Sequence, residues 1–300
     1  MPAKKPLIVE IKHCASDGGP GIRTTVFFKG CPLSCVWCQN PETIDPGPEI
    51  IYSPEDCFGC CSCQESCPAG ALDHNRRPYP INKELCRRCG NCSRACPGRG
   101  LRLAGRYYPV EDLVEELCRD IPFYRHSGGG VTLSGGEPTL HPRYLHNLLQ
   151  ALRFRRIHVI LETAGFYYRP MFTREVLPHL DLIYFDLKIF DPALHRRYTG
   201  RDNMRILDNF RALVRQAKVQ VLPRIPLVPG ITAVPGNLKA LAAFLKGLGL
   251  RCAALLPYNP LWKIRATGLG RPADYSYDRW MTREELERCA ACFDGFDLES

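Results

Sequence analysis

Seventeen cysteines in 300 residues constrain this chain more than any other feature. The count is odd, and residues 1–14 carry neither a long apolar core nor a small-residue cleavage site, so no secretory leader is expected. Thiols at this density in a chain expected to be cytoplasmic argue for metal or redox chemistry over disulfides. Composition adds only limits. Apolar residues at 45% can bury a sizeable core, and charged residues at 24% are ordinary for a globular protein, which excludes a disordered or fibrous chain. No apolar run approaches the roughly 18–20 residues of a membrane span, so no membrane partner is expected.

Nine of the cysteines fall between Cys57 and Cys96, and eight of these form an internal repeat. Cys57-x2-Cys60-x2-Cys63-x3-Cys67-Pro68 returns as Cys86-x2-Cys89-x2-Cys92-x3-Cys96-Pro97, each cysteine displaced by 29 residues. This is the bacterial ferredoxin spacing, in which the fourth cysteine of each run ligates the other cluster. Cys57, Cys60, Cys63 and Cys96 are therefore expected on one [4Fe-4S] cluster, and Cys86, Cys89, Cys92 and Cys67 on a second. Cys61 is an extra thiol in the first loop. A pair of zinc sites is the alternative. Residues 50–103 are too few to bury a core alone and should depend on metal to fold. They read as a ferredoxin-like insert in a larger domain made of residues 1–49 and 104–300.

Outside the insert, short β-branched or aromatic runs alternate with amphipathic stretches. Strands are expected at 24–29, 130–133, 158–162, 182–187, 219–224 and 253–256, and helices at 110–119, 143–153, 203–216, 238–248 and 283–293. Such alternation predicts parallel strands with right-handed crossovers, either an α/β sheet or an open barrel. Chemistry then belongs at the carboxyl ends of the strands.

Those ends carry unusual residues. Cys31-x3-Cys35-x2-Cys38 follows the first expected strand, and three cysteines without a fourth suit a cubane cluster with one iron open. Ser134-Gly135-Gly136-Glu137-Pro138 closes the second; its glycines allow close backbone approach, and its carboxylate can accept from an ammonium group. No Gly-Lys-Ser/Thr follows, so a phosphate loop is not supported. Glu162-Thr163, Asp186-Leu187-Lys188, Arg224 and Leu256-Pro257-Tyr258-Asn259 end the remaining four.

The cysteine triplet, with Trp37 before its last member, resembles the signature of radical S-adenosylmethionine (SAM) enzymes. The likeness narrows with Gly19-Pro20-Gly21-Ile22-Arg23-Thr24-Thr25-Val26-Phe27, Lys29-Gly30-Cys31-Pro32-Leu33 and Asn40-Pro41-Glu42. These resemble glycyl-radical-enzyme activating enzymes, in particular the subset with a two-cluster insert, over roughly residues 7 to 295. The resemblance implies an open, partial (β/α)6 TIM-like barrel and three [4Fe-4S] clusters in all. It implies that Cys31, Cys35 and Cys38 hold the catalytic cluster, while Trp37, Gly135, Gly136, Glu137, Asp186, Lys188, Arg224 and Asn259 surround SAM. A monovalent cation at Glu162, Thr163 and Asp186 is a further implication. Reductive cleavage of SAM would yield a 5′-deoxyadenosyl radical that takes a hydrogen from a backbone glycine of a glycyl radical enzyme. Electrons would come from a low-potential donor such as flavodoxin or ferredoxin, relayed by the insert.

Two positions depart from the pattern. Relatives usually have Asp-Gly-Pro-Gly where this chain has Gly18-Gly19-Pro20-Gly21, with Asp17 displaced by one position, and many have histidine in place of Asn259. The first departure keeps open a radical enzyme acting on a small molecule or on SAM itself. A multi-cluster electron carrier would leave the strand-end residues unexplained. The formal charge of +9 would suggest an anionic partner, but three clusters with their thiolates bring it to about +4. Arg153, Arg155, Arg156, Arg196 and Arg197 read as solvated helix faces, and no nucleic-acid partner is expected. Cys14, Cys118, Cys252, Cys289 and Cys292 read as buried small hydrophobes.

Overall fold

The structure is a computed structural model that describes residues 5–16, 18–216, 219–273 and 275–299. Its strands in chain order are β1 Leu7–Ala15, β2 Arg23–Phe28, β3 Glu49–Tyr52, β4 Leu101–Ala104, β5 Arg106–Tyr107, β6 Gly130–Gly135, β7 His158–Thr163, β8 Leu182–Asp186, β9 Gln220–Pro226, β10 Cys252–Leu256 and β11 Asp297–Glu299. One sheet runs β5-β1-β2-β6-β7-β8-β9-β10-β11. From β2 to β11 every pairing is parallel, and β1 joins β2 and β5 antiparallel. The six expected strands are β2 and β6 to β10, in chain order across the sheet. β1, β5, β11 and the separate β3–β4 ribbon lie outside the expected set.

The parallel strands from β2 to β10 are largely buried, as strands covered by crossovers must be, though Arg23, Thr24, Thr25, Thr132 and Ser134 stand among their apolar residues. One face meets the helices. In Pro142–Phe154 the buried residues are Leu145, Leu148, Leu149 and Leu152, one stripe at helical spacing. Met204–Gln216 presents Ile206, Leu207, Phe210 and Leu213 in the same way. The other face curls around a smaller cluster of Ile160, Leu182, Tyr184, Leu222 and Ala254. The amino ends of the strands are closed by Arg23, which is fully buried. Its guanidinium donates to Thr132 Oγ1 at 2.8 Å and Val131 O at 2.7 Å. Burial without a carboxylate partner lowers its pKa to about 10.

Residues between β3 and β4 form a compact unit on the carboxyl side of β2. β3 and β4 pair antiparallel from Glu49 opposite Ala104 to Tyr52 opposite Leu101. Ile50, Tyr52, Leu72, Tyr79, Ile81 and Leu101 pack with Cys63 and Cys92. The 29-residue repeat extends to the backbone. Gly59, Cys61 and Gly70 have left-handed φ values of 69°, 58° and 58°, and Arg88, Gly90 and Arg99 repeat them at 55°, 76° and 57°.

Of the cysteines expected in the core, only Cys289 is buried; Cys14 is exposed, and Cys118, Cys252 and Cys292 lie between. Cys14 sits where the β1–β2 register shifts, with φ at 52°, so its side chain leaves the packed face.

Phe210 stacks edge-on against Phe185 with ring centroids 4.9 Å apart, joining a helix to β8 below the strand ends. Phe210→Ala should destabilise the protein by about 3–5 kcal/mol, read as a shift in chemical denaturation midpoint with unchanged slope.

Candidate active site

The loop after β2 is pinned on three sides. Gly30 N donates to Thr43 O at 2.7 Å and Cys31 N to Ile44 O at 3.0 Å. From β6, Gly136 N donates to Phe28 O and Glu137 N to Gly30 O, both at 2.8 Å. From the helix Pro192–Thr199, the carbonyls of Thr199 and Tyr198 accept from Ser34 N and Val36 N. That helix begins at Asp191, whose side chain caps Leu194 N, and ends at Gly200 in the left-handed region. A Cβ at Gly200 would come within 2.5 Å of Ser34 Oγ, so the cap and the cysteine loop share one fit.

This loop faces a cavity of about 210 Å³ at the carboxyl ends of the parallel strands. Cys31, Cys35, Cys38 and Trp37 line one side, Gly135, Gly136, Glu162 and Thr163 another, and Asp186, Lys188 and Arg224 a third. Burial, with repulsion from Cys35 and then Cys38, holds the Cys31 thiol well above the usual range. Burial and then Cys35 push Cys38 up to about 12. These thiols need a cation to lose their protons, which is the chemistry of a metal-binding donor set. Among the described residues, no three His, Cys, Asp or Glu side chains converge tightly enough for a single metal ion. A cubane takes one thiolate per iron and accepts a wider spread.

Opposite the thiols lies a chain of ion pairs, Lys188–Asp186–Arg224–Glu162. Lys188 Nζ stands 3.0 Å from Asp186 Oδ2, Arg224 Nε 3.5 Å from Asp186 Oδ1, and an Arg224 Nη donates to Glu162 Oε1 at 2.7 Å. Ser134 Oγ donates to the other Glu162 oxygen. Burial works against the charged Asp186 carboxylate, but Lys188 and then Arg224 outweigh it and hold it below the usual range. Burial also opposes the Lys188 charge, and Asp186 and then Cys35 raise it above ordinary lysine. Arg224 additionally lies over the Tyr184 ring, 4.9 Å from its centroid.

Two expected cofactor contacts are placed differently. Glu137 is fully buried, and its carboxylate accepts from Thr139 Oγ1 at 2.6 Å, Thr163 Oγ1 at 2.8 Å and Ala164 N at 2.9 Å. It joins the end of β6 to the end of β7 and does not line the cavity. Asn259 lies in the adjoining cleft with Gln39, Asn40 and Arg265, and its side chain accepts from Leu261 N at 2.9 Å. Gln39, Asn40, Leu227, Val228 and Tyr258 line the cysteine cavity without having been assigned a role; Gln39 and Asn40 directly follow Cys38, a signal that could have found them. Gly18 carries the other departure: a Cβ there would stand 2.7 Å from Thr25 Oγ1. Asp17 lies outside the described residues.

The repeated cysteines between β3 and β4 divide between two small cavities. Cys57, Cys60, Cys63 and Cys96 line one, together with Cys61 and His74; Cys67, Cys86, Cys89 and Cys92 line the other.

The Radical SAM superfamily model matches residues 84–235. The trans-4-hydroxy-L-proline dehydratase activating enzyme of Clostridioides difficile is 34% identical over 98% of this chain and 98% of its own. The benzylsuccinate synthase activating enzyme of Thauera aromatica is 39% identical over 91% of this chain and 85% of its own. The choline trimethylamine-lyase activating enzyme of Oleidesulfovibrio alaskensis is 34% identical, covering 99% and 98%. The chain belongs to the radical SAM superfamily, among the activating enzymes of glycyl radical enzymes. It is thus an enzyme with a [4Fe-4S] cluster and SAM as cofactors and a glycyl radical enzyme as protein partner. A small-molecule substrate is not favoured. Among the described residues no helix is long and apolar enough to cross a membrane.

Glu137→Ala would leave the Thr139, Thr163 and Ala164 donors without their acceptor. We expect a loss of roughly 2–4 kcal/mol in stability by denaturant titration; unchanged stability would return this carboxylate to the cofactor.

Proposed function

We propose that the catalytic cluster is held by Cys31, Cys35 and Cys38 and that SAM binds across the same cavity. The observation carrying this is the convergence of three half-buried thiols and the Glu162–Arg224–Asp186–Lys188 chain of ion pairs on one cavity at successive strand ends. Together the reduced cluster and SAM supply the 5′-deoxyadenosyl radical that removes a hydrogen from a backbone glycine of the partner. Lys188 and Arg224 are the cations available to a carboxylate, fixed in advance by Asp186 and Glu162. Gly135 and Gly136 offer backbone to an ammonium group, while Trp37, Leu227 and Val228 exclude water. Asn259 serves at the rim. A monovalent cation at Glu162, Thr163 and Asp186 would compete with the guanidinium that Glu162 already accepts.

Residues 50–103 are, in this reading, a ferredoxin-like domain inserted between residues 1–49 and 104–300. It would hold two further [4Fe-4S] clusters and pass electrons from a flavodoxin or ferredoxin to the catalytic one. The division of its cysteines between two cavities supports the crossed ligation, because Cys96 joins the first run and Cys67 the second. Localisation in the cytoplasm fits this electron supply.

The test is anaerobic. Reconstituted protein, reduced with SAM and mixed with a candidate glycyl radical enzyme, should give a persistent doublet in electron paramagnetic resonance together with 5′-deoxyadenosine. Cys35→Ala should reduce both to background, and continued cleavage would sink the assignment. Lys188→Met should weaken SAM binding by roughly 10–100-fold in calorimetry, the value of a hydrogen bond to a charged group.

A further inference from the structure

We propose that His74 tunes the cluster held by Cys57, Cys60, Cys63 and Cys96, by donating a hydrogen bond from Nε2 to the Cys63 sulfur. The proposal rests on the reading of residues 50–103 as a two-cluster domain. His74 lines that cluster's cavity, with Nε2 3.3 Å from Cys63 Sγ. A sulfur bound to iron has no proton of its own, so the ring nitrogen must carry the hydrogen.

His74 is placed by a built turn. Leu72 bridges Ile81 antiparallel, Asp73 N donates to Pro80 O at 2.9 Å, and Arg76 N closes on Asp73 O at 3.1 Å. The Asp73 carboxylate also accepts from Asn75 N at 2.9 Å. The ring is therefore held at the tip of a fixed hairpin.

The two halves differ here. Displacing His74 by the 29-residue repeat reaches Leu103. At the second site the sulfur contacts come from the backbone, Ala71 N to Cys67 at 3.3 Å and Arg88 N to Cys86 at 3.4 Å. At the first, backbone amides of Ser62 and Gln64 are joined by side chains, His74 and the Ser62 hydroxyl, which is 3.5 Å from Cys60. Adding an electron places more negative charge on the sulfurs and strengthens the N–H···S bond. The reduced state gains, and the potential rises. His74 thus gives one insert cluster a potential set independently of its twin.

A full-length chain with Cys31, Cys35 and Cys38 replaced by alanine isolates the insert clusters for dithionite titration monitored by electron paramagnetic resonance. Iron content near eight per chain tests the two-cluster reading separately. In this background His74→Leu should make one cluster about tenfold harder to reduce, or about 59 mV for one electron, with the other unmoved. His74→Gln, which keeps an N–H donor, should restore most of the shift. Unchanged midpoints, or equal movement of both, would overturn the proposal. Should leucine strip the cluster, His74→Phe replaces it as the donor-free variant, and an intact cluster at wild-type potential would overturn the proposal equally.

Discussion

A close approach of two backbones holds this site together. At Gly135, whose φ is 107°, a Cβ would stand 2.4 Å from Phe28 N; at Gly136 it would stand 2.2 Å from Gly30 O. No side chain fits either position, so the end of β6 can lie directly against the segment where β2 becomes the cysteine loop. The Phe28 and Gly30 carbonyls then take the Gly136 and Glu137 amides, and the first residues of the loop have one available path. The same contact turns Glu137 inward, where it fastens β7. A larger residue at either glycine would move the thiols relative to the charges on β7, β8 and β9.

Those charges answer a second constraint. A buried charge is costly alone, and desolvation acts against the charges of Asp186, Lys188 and Arg224. Two acids and two bases from four strand-end positions cancel locally, so Lys188 and Arg224 can stay cationic beneath the surface. The arrangement keeps positive charge ready for an anionic ligand without reorganisation when it binds. It also explains why the pattern spans strands: Lys188 finds Asp186 two residues away, but Arg224 meets Glu162 and Asp186 only once β7, β8 and β9 are in register.

Much of this was legible in sequence because periodic or fixed-spacing features report local geometry. The cysteine repeat, the six core strands and the polar residues closing them needed only spacing and position. What escaped depends on contacts between distant segments. The run Leu7–Ala15 places Glu10, Lys12 and His13 among its apolar residues and reads poorly as a strand, yet it becomes β1 because β2 offers an open edge. Nothing near Glu137 says that Thr163 and Ala164 will claim its carboxylate, since they arrive with another strand. Arg23 likewise looks like a surface charge until carbonyls from β6 and β7 close around it.

The β3–β4 segment is joined to this frame by buried charge as well as by chain. Lys29, one residue beyond β2 and almost wholly buried, donates to Glu49 Oε2 at 2.8 Å, and Arg271 pairs with Glu49 Oε1 at 2.7 Å. Burial lowers the Lys29 pKa, with Glu49 working against that loss. Tyr52 N donates to Gly268 O, and Arg265 pairs with Glu42 next to the cysteine loop. Removing one partner from a buried pair costs roughly 3–5 kcal/mol, because the other is left uncompensated. Glu49, held by Lys29 from after β2 and by Arg271 from near the other end of the chain, fixes the β3–β4 ribbon beside the loop that carries Cys31, Cys35 and Cys38. The distance between the β3–β4 ribbon and the cysteine loop is thus set by one carboxylate shared by Lys29 and Arg271.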